Sequence, residues 1–187
     1  MADFNSVCVY CGSSNRVDPR FLDTADRFGK AVAARGLRMV YGGGNVGLMG
    51  ASARAAHDNG AEVVGVIPRF LTHIEQPHPS IRTEVVETMH ERKRRLFEYS
   101  DAFVVLPGGI GTLEEIVETL SWRRLSLHAK PCVFVDLDFW QGFFGLIEGT
   151  IEAGFTPPEF RNAYMAVETP EEALEAIERA LAETAAA

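Results

Sequence analysis

The 187-residue sequence predicts a doubly wound parallel α/β sheet, on three observations. Short, near-continuous apolar runs alternate with segments of helical periodicity from one end of the chain to the other. The runs carry few polar residues, as expected of strands covered by helices on both faces. Three of them stop at unusual loops: CGSS at 11–14, GGGNVG at 42–47 and PGGIGT at 107–112. In such sheets ligands sit past the carboxyl ends of the strands, so these loops predict one crevice.

The elements follow in order. Val7–Tyr10 reads as a buried strand. Asp18-Pro19 opens an amphipathic helix in which Phe21, Leu22, Ala25, Phe28 and Val32 recur at helical spacing, and Gly36 closes it. Leu37–Tyr41 is a strand, Leu48–Asn59 an alanine-rich helix ended by Gly60, and Val63–Ile67 a strand stopped by Pro68. Arg69–Ile81, with Pro77 and Pro79, reads as irregular. Arg82–Glu87 predicts a short strand, Met89–Tyr99 a basic helix and Ala102–Leu106 a strand. A helix follows the PGGIGT loop to about Arg124, then a strand at Pro131–Val135, an apolar helix at Phe139–Ala153, a strand at Tyr164–Val167 and a helix at Pro170–Ala185. No linker, repeat or low-complexity stretch interrupts this beyond a short alanine tail. One domain over 1–187 is expected.

Composition narrows the partners. Apolar residues make up 47% and charged residues 24%, enough core to argue against disorder. The formal net charge of -8 disfavours nucleic acid and anionic membrane, which select basic surfaces. A small anion is compatible, because a local cluster can oppose the global sign. The N-terminal stretch MADFNSVCVYCGSS lacks the basic and apolar regions of a signal peptide, and no apolar run approaches the ~18 residues of a membrane span. A cytoplasmic protein is expected.

Cys8 and Cys11 spell CxxC, but within a strand rather than at a helix start. Residues three apart on a strand point to opposite faces, roughly 10 Å apart, which disfavours a disulfide. There is no second CxxC for zinc, and His57, His73, His78, His90 and His128 have no metal-ligand spacing, so they read as surface or loop residues. No metal or cofactor is expected.

GGGNVG fits GxGxxG as a pattern. The dinucleotide fingerprint also needs an acidic residue at the end of the next strand, and here that strand ends Gly65-Val66-Ile67-Pro68. PGGIGT is no Walker A loop, because no Gly-Lys-Ser/Thr follows. What the glycines allow is close approach of backbone amides to an anion, with helix N-terminal charge behind them. For GGGNVG a tight turn and an anion cradle are equally open readings. For PGGIGT a phosphate is favoured, with Thr112 capping the helix and donating to the same oxygen. Glu114 and Glu115 then stand in a phosphate-binding turn, which a binding loop alone would not explain. The cationic run Arg92-Lys93-Arg94-Arg95 is a local anomaly in an acidic chain with only three lysines. Helix geometry puts Arg92 and Arg95 on one face, lets at most one or two of the four reach the crevice, and favours Arg92 and Lys93. Phe139, Trp140, Phe143, Phe144 and Ile147 read as core or as a subunit contact.

These motifs together resemble a known family. PGGIGTLEE matches the PGGxGTxxE signature of the LONELY GUY (LOG) family, MHERK its second motif, and YGGGNVGLMG and CGSS its other loops, in similar order over nearly the whole chain. The resemblance implies a Rossmann-like, homodimeric enzyme with sites near the subunit interface. It implies hydrolysis of the N-glycosidic bond of a nucleoside 5′-monophosphate, either a cytokinin riboside monophosphate or AMP, to free base and ribose 5-phosphate. Such sequences are often labelled lysine decarboxylase, and no pyridoxal-phosphate signature is apparent here. Carried over by motif, Arg92 and Glu115 are the catalytic pair. Glu75, Lys93, Gly108, Gly109, Ile110, Gly111, Thr112 and Ser121 are substrate-binding, Ser121 standing where many relatives have threonine; the CGSS and GGGNVG loops add Ser14, Gly43 and Gly44. The resemblance leaves the general acid unnamed, and a non-catalytic nucleotide or molybdenum-cofactor carrier of the same fold is the rival reading.

Overall fold

The computed structural model describes residues 4–186. Residues 1–3 and 187, part of the expected single-domain range and of the stretch read for a leader, lie outside the described residues. Among these residues seven strands form one sheet: β1 (Ser6–Tyr10), β2 (Arg38–Tyr41), β3 (Val63–Pro68), β4 (Arg82–Val86), β5 (Ala102–Val105), β6 (Cys132–Val135) and β7 (Met165–Val167). Their order is β4-β3-β2-β1-β5-β6-β7, and every pairing is parallel. The chain steps outward from β1 to the β4 edge, then crosses back to β5 on the other side of β1. That reversal is a topological switch point, where two loops diverge and leave a crevice.

Among the described residues seven α-helices cover the sheet: α1 (Pro19–Ala34), α2 (Gly47–Asp58), α3 (Thr72–Glu75), α4 (Met89–Glu98), α5 (Ile110–Arg124), α6 (Leu137–Glu152) and α7 (Pro170–Ala186). One face of the sheet packs on α1, α2 and α7 through Val7, Val9, Cys11, Met39, Phe28, Ala53 and Leu174. The other packs on α4, α5 and α6 through Cys8, Tyr10, Phe103, Leu96, Ile116 and Trp140. Alternate residues of β1 thus enter different cores, and Cys8 and Cys11 are free and buried on opposite faces, as strand geometry requires.

The doubly wound sheet is the one expected, and differences in detail have local causes. Residues 69–81 hold a 3-10 turn at Arg69–Leu71 and the four-residue α3, both too short to show periodicity. Helix α6 begins two residues before Phe139, because Asp136 adopts φ 75° and its side chain accepts the Phe139 N–H at 3.0 Å. His128 is a loop residue, as expected, but half-buried rather than at the open surface. Its ring packs 5.1 Å from that of Phe97 and its Nε2 lies 2.9 Å from the Thr119 carbonyl, so it ties the end of α5 to the aromatic core.

Helices α1 and α2 approach most closely at Gly29. A Cβ there would stand 2.3 Å from the Ser52 carbonyl oxygen and 2.7 Å from the Ala56 nitrogen, both backbone atoms that cannot swing aside. Gly29→Ala gains about 1 kcal/mol of helix propensity, but overpacking costs about 1–3 kcal/mol and here meets backbone. We expect net destabilisation, seen in urea unfolding as a lower midpoint at unchanged slope. An equal or higher midpoint would show that the two helices part without cost.

Candidate active site

The loops around the crevice are tied together by hydrogen bonds from backbone amides. The Gly12 N–H donates to the Pro107 carbonyl at 3.0 Å, the Met49 N–H to the Gly12 carbonyl at 3.2 Å, and the Gly47 N–H to Asn15 Oδ1 at 2.8 Å. A cavity of about 470 Å³ lies above this junction, within the range of small-molecule sites. It is lined by Cys11–Ser14, by Pro107–Thr112, and by Glu75, Arg92 and Glu115. Val17, Phe21, Leu48, Met49 and Phe139 supply an apolar wall.

Helix α5 begins at the cavity. Gly109 is its N-cap and supplies no side-chain cap, so the amides of Ile110, Gly111 and Thr112 are orphan donors of the first turn. Thr112 is not the cap that the sequence suggested. It is the third residue of the helix, buried, and a Cβ at Gly108 would stand 2.2 Å from its Oγ1. Glycine at 108 therefore lets the loop close on that hydroxyl.

One turn further along α5, Glu115 points inward. Its side chain is 8% exposed, and its Oε1 lies 3.4 Å from Arg92 Nη2, whose side chain is 6% exposed. Arg92 also donates from Nη2 to the Gly42 carbonyl at 3.3 Å, and its Nε has no partner. A Cβ at residue 42 would stand 2.1 Å from Nη2, so the first glycine of GGGNVG makes room for the guanidinium. Burial pushes the Glu115 carboxyl up to about 7; Arg92 opposes this, while Glu114 and Glu75 add to it. Glu75 ends α3, held by the Asn45 N–H to its carbonyl at 3.1 Å. Burial raises its carboxyl too, Arg92 opposing, and its Oε2 is buried without a partner.

Of the expected site residues, Arg92, Glu115, Glu75, Ser14, Gly108, Gly109, Ile110, Gly111 and Thr112 meet around this cavity. Four do not line it. Gly43 adopts φ +84°, where a Cβ would stand 2.9 Å from the Ile67 Cβ, and Gly44 abuts Glu75, where a Cβ would stand 2.8 Å from Oε2. The tight-turn reading of that loop is the one its geometry supports. Lys93 turns the other way, and its Nζ donates to Glu114 and, at 2.6 Å, to Glu118. Ser121 lies further along α5, away from the cavity of its own chain. Arg94 and Arg95 pair outward with Glu98 and Glu84. The apolar wall was missed because periodicity marks a residue as core-facing without saying whether its turn overhangs a strand end. Phe21 and Phe139 sit in the first turns of α1 and α6, their rings edge to face at 5.5 Å.

A carboxyl that titrates higher in the folded state holds its proton more tightly there. Its contribution to stability is complete below the ordinary value of 4.5 and is lost as pH rises through about 7. Stability should therefore fall between about pH 5 and pH 8, by on the order of 2–3 kcal/mol from Glu115. Glu115→Gln should remove most of that fall in urea unfolding at the two pH values. Equal slopes in wild type and variant would contradict the raised value.

A family model described as "Possible lysine decarboxylase" matches residues 49–177. The cavity offers that description no lysine: Lys93 is held by Glu114 and Glu118, Lys130 donates to the Phe97 and Ser100 carbonyls, and Lys30 pairs with Asp26. Among relatives, the chain is 40% identical over 177 residues to the probable cytokinin riboside 5′-monophosphate phosphoribohydrolase LOGL2 of Oryza sativa subsp. japonica, covering 94% of this chain and 72% of that protein. It is 39% identical to the rice phosphoribohydrolase LOG, covering 90% and 71%, and 36% identical to LOG3 of Arabidopsis thaliana, covering 94% and 82%. Its fold is also that of the molybdenum cofactor binding protein from Rippkaea orientalis, with a TM-score of 0.72, 22% identity, and 96% of this chain and 98% of that chain covered. The molybdenum cofactor carrier protein of Chlamydomonas reinhardtii matches at a TM-score of 0.72 and 20% identity, over 96% and 99%. Family model and relatives agree that the chain belongs to the LOG family of cytokinin riboside 5′-monophosphate phosphoribohydrolases.

Proposed function

We propose that this chain hydrolyses the N-glycosidic bond of a nucleoside 5′-monophosphate, AMP or a cytokinin riboside monophosphate, to free base and ribose 5-phosphate. The observation that carries the reading is the buried Arg92–Glu115 pair one helical turn from the orphan amides of α5. The substrate brings a fixed anion, its phosphate, and cleavage creates a transient cation on the ribose. Amides of Ile110, Gly111 and Thr112 and the Thr112 hydroxyl meet the first. The Glu115 carboxylate, on the same face of α5, meets the second.

The bond between the anomeric carbon and the base nitrogen breaks with its electron pair leaving on the base. The ribose passes through an oxocarbenium-like state, which an adjacent carboxylate stabilises. Water then adds to the anomeric carbon and loses a proton, and the base gains one. Arg92 neutralises phosphate and holds Glu115 in place; an arginine is a poor proton donor. Glu75, with a raised carboxyl and an unpartnered oxygen, is the cavity's other group able to grip ribose hydroxyls or carry a proton. The base lies against the wall of Phe21, Met49 and Phe139.

The same reading includes a homodimer in the cytoplasm. Ile110 and Val117 on α5, Leu125 at its C-cap and Leu146 on α6 are exposed apolar residues. Ser121 falls on the stripe of Val117 and Leu125 at i±4, a face of α5 free for a second copy. The three cysteines are all unpaired, as in reducing compartments, and among the described residues no helix is long and apolar enough to cross a membrane. A nucleotide carrier of the same fold would gain nothing from a carboxylate held against burial beside its ligand.

Glu115→Gln and Arg92→Ala should each cut adenine release from AMP by ~10²–10³-fold in kcat while keeping wild-type circular dichroism. Turnover within threefold of wild type in either folded variant would remove that residue from the chemistry. Tight AMP binding by the wild type with no adenine released would instead support a carrier.

A further inference from the structure

We propose that Lys93 is a positioning residue: held outside the cavity by Glu114 and Glu118, it clamps α4 against α5 and so sets the Arg92–Glu115 geometry. Consecutive residues of α4 face opposite ways across the same junction. Arg92 reaches into the cavity toward Glu115, while Lys93, 7% exposed, reaches behind it to Glu114 and Glu118. The two carboxylates are one turn apart on α5 and flank the peptide segment that carries Glu115. Two ion pairs in tandem thus lock one helix to the other.

The charges support the same role. Burial pushes Lys93 down, but its hydrogen bonds to Glu114 and Glu118 more than offset this and leave it raised, a cation committed to its carboxylates. A substrate phosphate could recruit it only by breaking both bonds. Glu115 feels this cluster from behind: Lys93 favours its charged form and Glu114 opposes it. The other groups facing it are Arg92 from α4, Glu75 from α3, Cys8 and Tyr10 from β1, and Cys11 just after that strand. The ion-pair clamp therefore adjusts both where Glu115 sits and how readily it ionises.

The kinetic part of this rests on the hydrolase reading above, so the experiment has an arm that does not. In protein labelled with ¹³C at glutamate side chains, with the Glu115 carboxyl assigned by its loss in Glu115→Gln, its titration midpoint is measured in wild type, Lys93→Met and Glu114→Gln. The expected result is a midpoint moved up in Lys93→Met and down in Glu114→Gln. In AMP hydrolysis, Lys93→Met should lose ~10–100-fold in kcat with KM within twofold, and Lys93→Arg should recover most of the loss. The double variant Glu114→Gln, Glu118→Gln serves if Lys93→Met fails to fold. It leaves Lys93 free, and should still lose kcat. A tenfold or larger rise in KM for Lys93→Met at unchanged kcat and unchanged midpoint would overturn the proposal and make Lys93 a substrate contact. So would a double variant that binds AMP more tightly at full kcat. A wild type that releases no base from any nucleotide would sink the hydrolase reading, and the carboxyl midpoints would still decide the role of Lys93.

Discussion

A carboxylate kept out of water beside a single arginine is the constraint on which the rest of this structure depends. Removing Glu115 from solvent is costly, and one guanidinium 3.4 Å away offsets only part of it. The carboxyl consequently titrates near neutrality instead of near 4.5. Such tension has to be built in by the surrounding fold. Glycine at 42 admits the arginine, the tether of Lys93 holds α4 to α5, and the β1/β5 divergence opens the cavity that both groups line.

The site also resolves the oddity of VVLPGGIGTLEE, a phosphate turn followed by carboxylates. The two glutamates do different work. Glu115 points into the cavity, whereas Glu114, about 100° away around the helix, takes Lys93. Two opposite charges must be managed a few ångströms apart during glycosidic cleavage. In the proposed reaction one helix N-terminus would manage both, with orphan amides in its first turn and a buried acid in its second.

Much of this was legible in the sequence, and the reasons are specific. The strand runs β1, β3 and β5 are apolar enough to declare a sheet covered on both faces, and the loops after β1 and β5 marked where the cavity lies. That Arg92 and Glu115 belong to one site was implied by the family resemblance, and the two do meet at the cavity. Three things were not legible. Lys93 follows Arg92 directly, and spacing alone cannot say which of two adjacent cations turns inward; the carboxylates four residues apart on α5, Glu114 and Glu118, were the available signal. Gly43 and Gly44 fit a phosphate pattern, yet serve a turn packed on Ile67 and Glu75. Phe21 and Phe139 look like core residues by periodicity, but the helix turns that carry them overhang the strand ends, a property of tertiary placement rather than of pattern.

The account turns on a phosphate being held at the α5 N-terminus while the ribose meets Glu115. Its most direct test compares base release from AMP and from adenosine, which differ only in that phosphate. Three charge-assisted hydrogen bonds at about 1.5–3 kcal/mol each predict a preference for the monophosphate of at least ~10³-fold in kcat/KM. Turnover of adenosine within tenfold of AMP would contradict the account, because the glycine loop would then be a turn and nothing more.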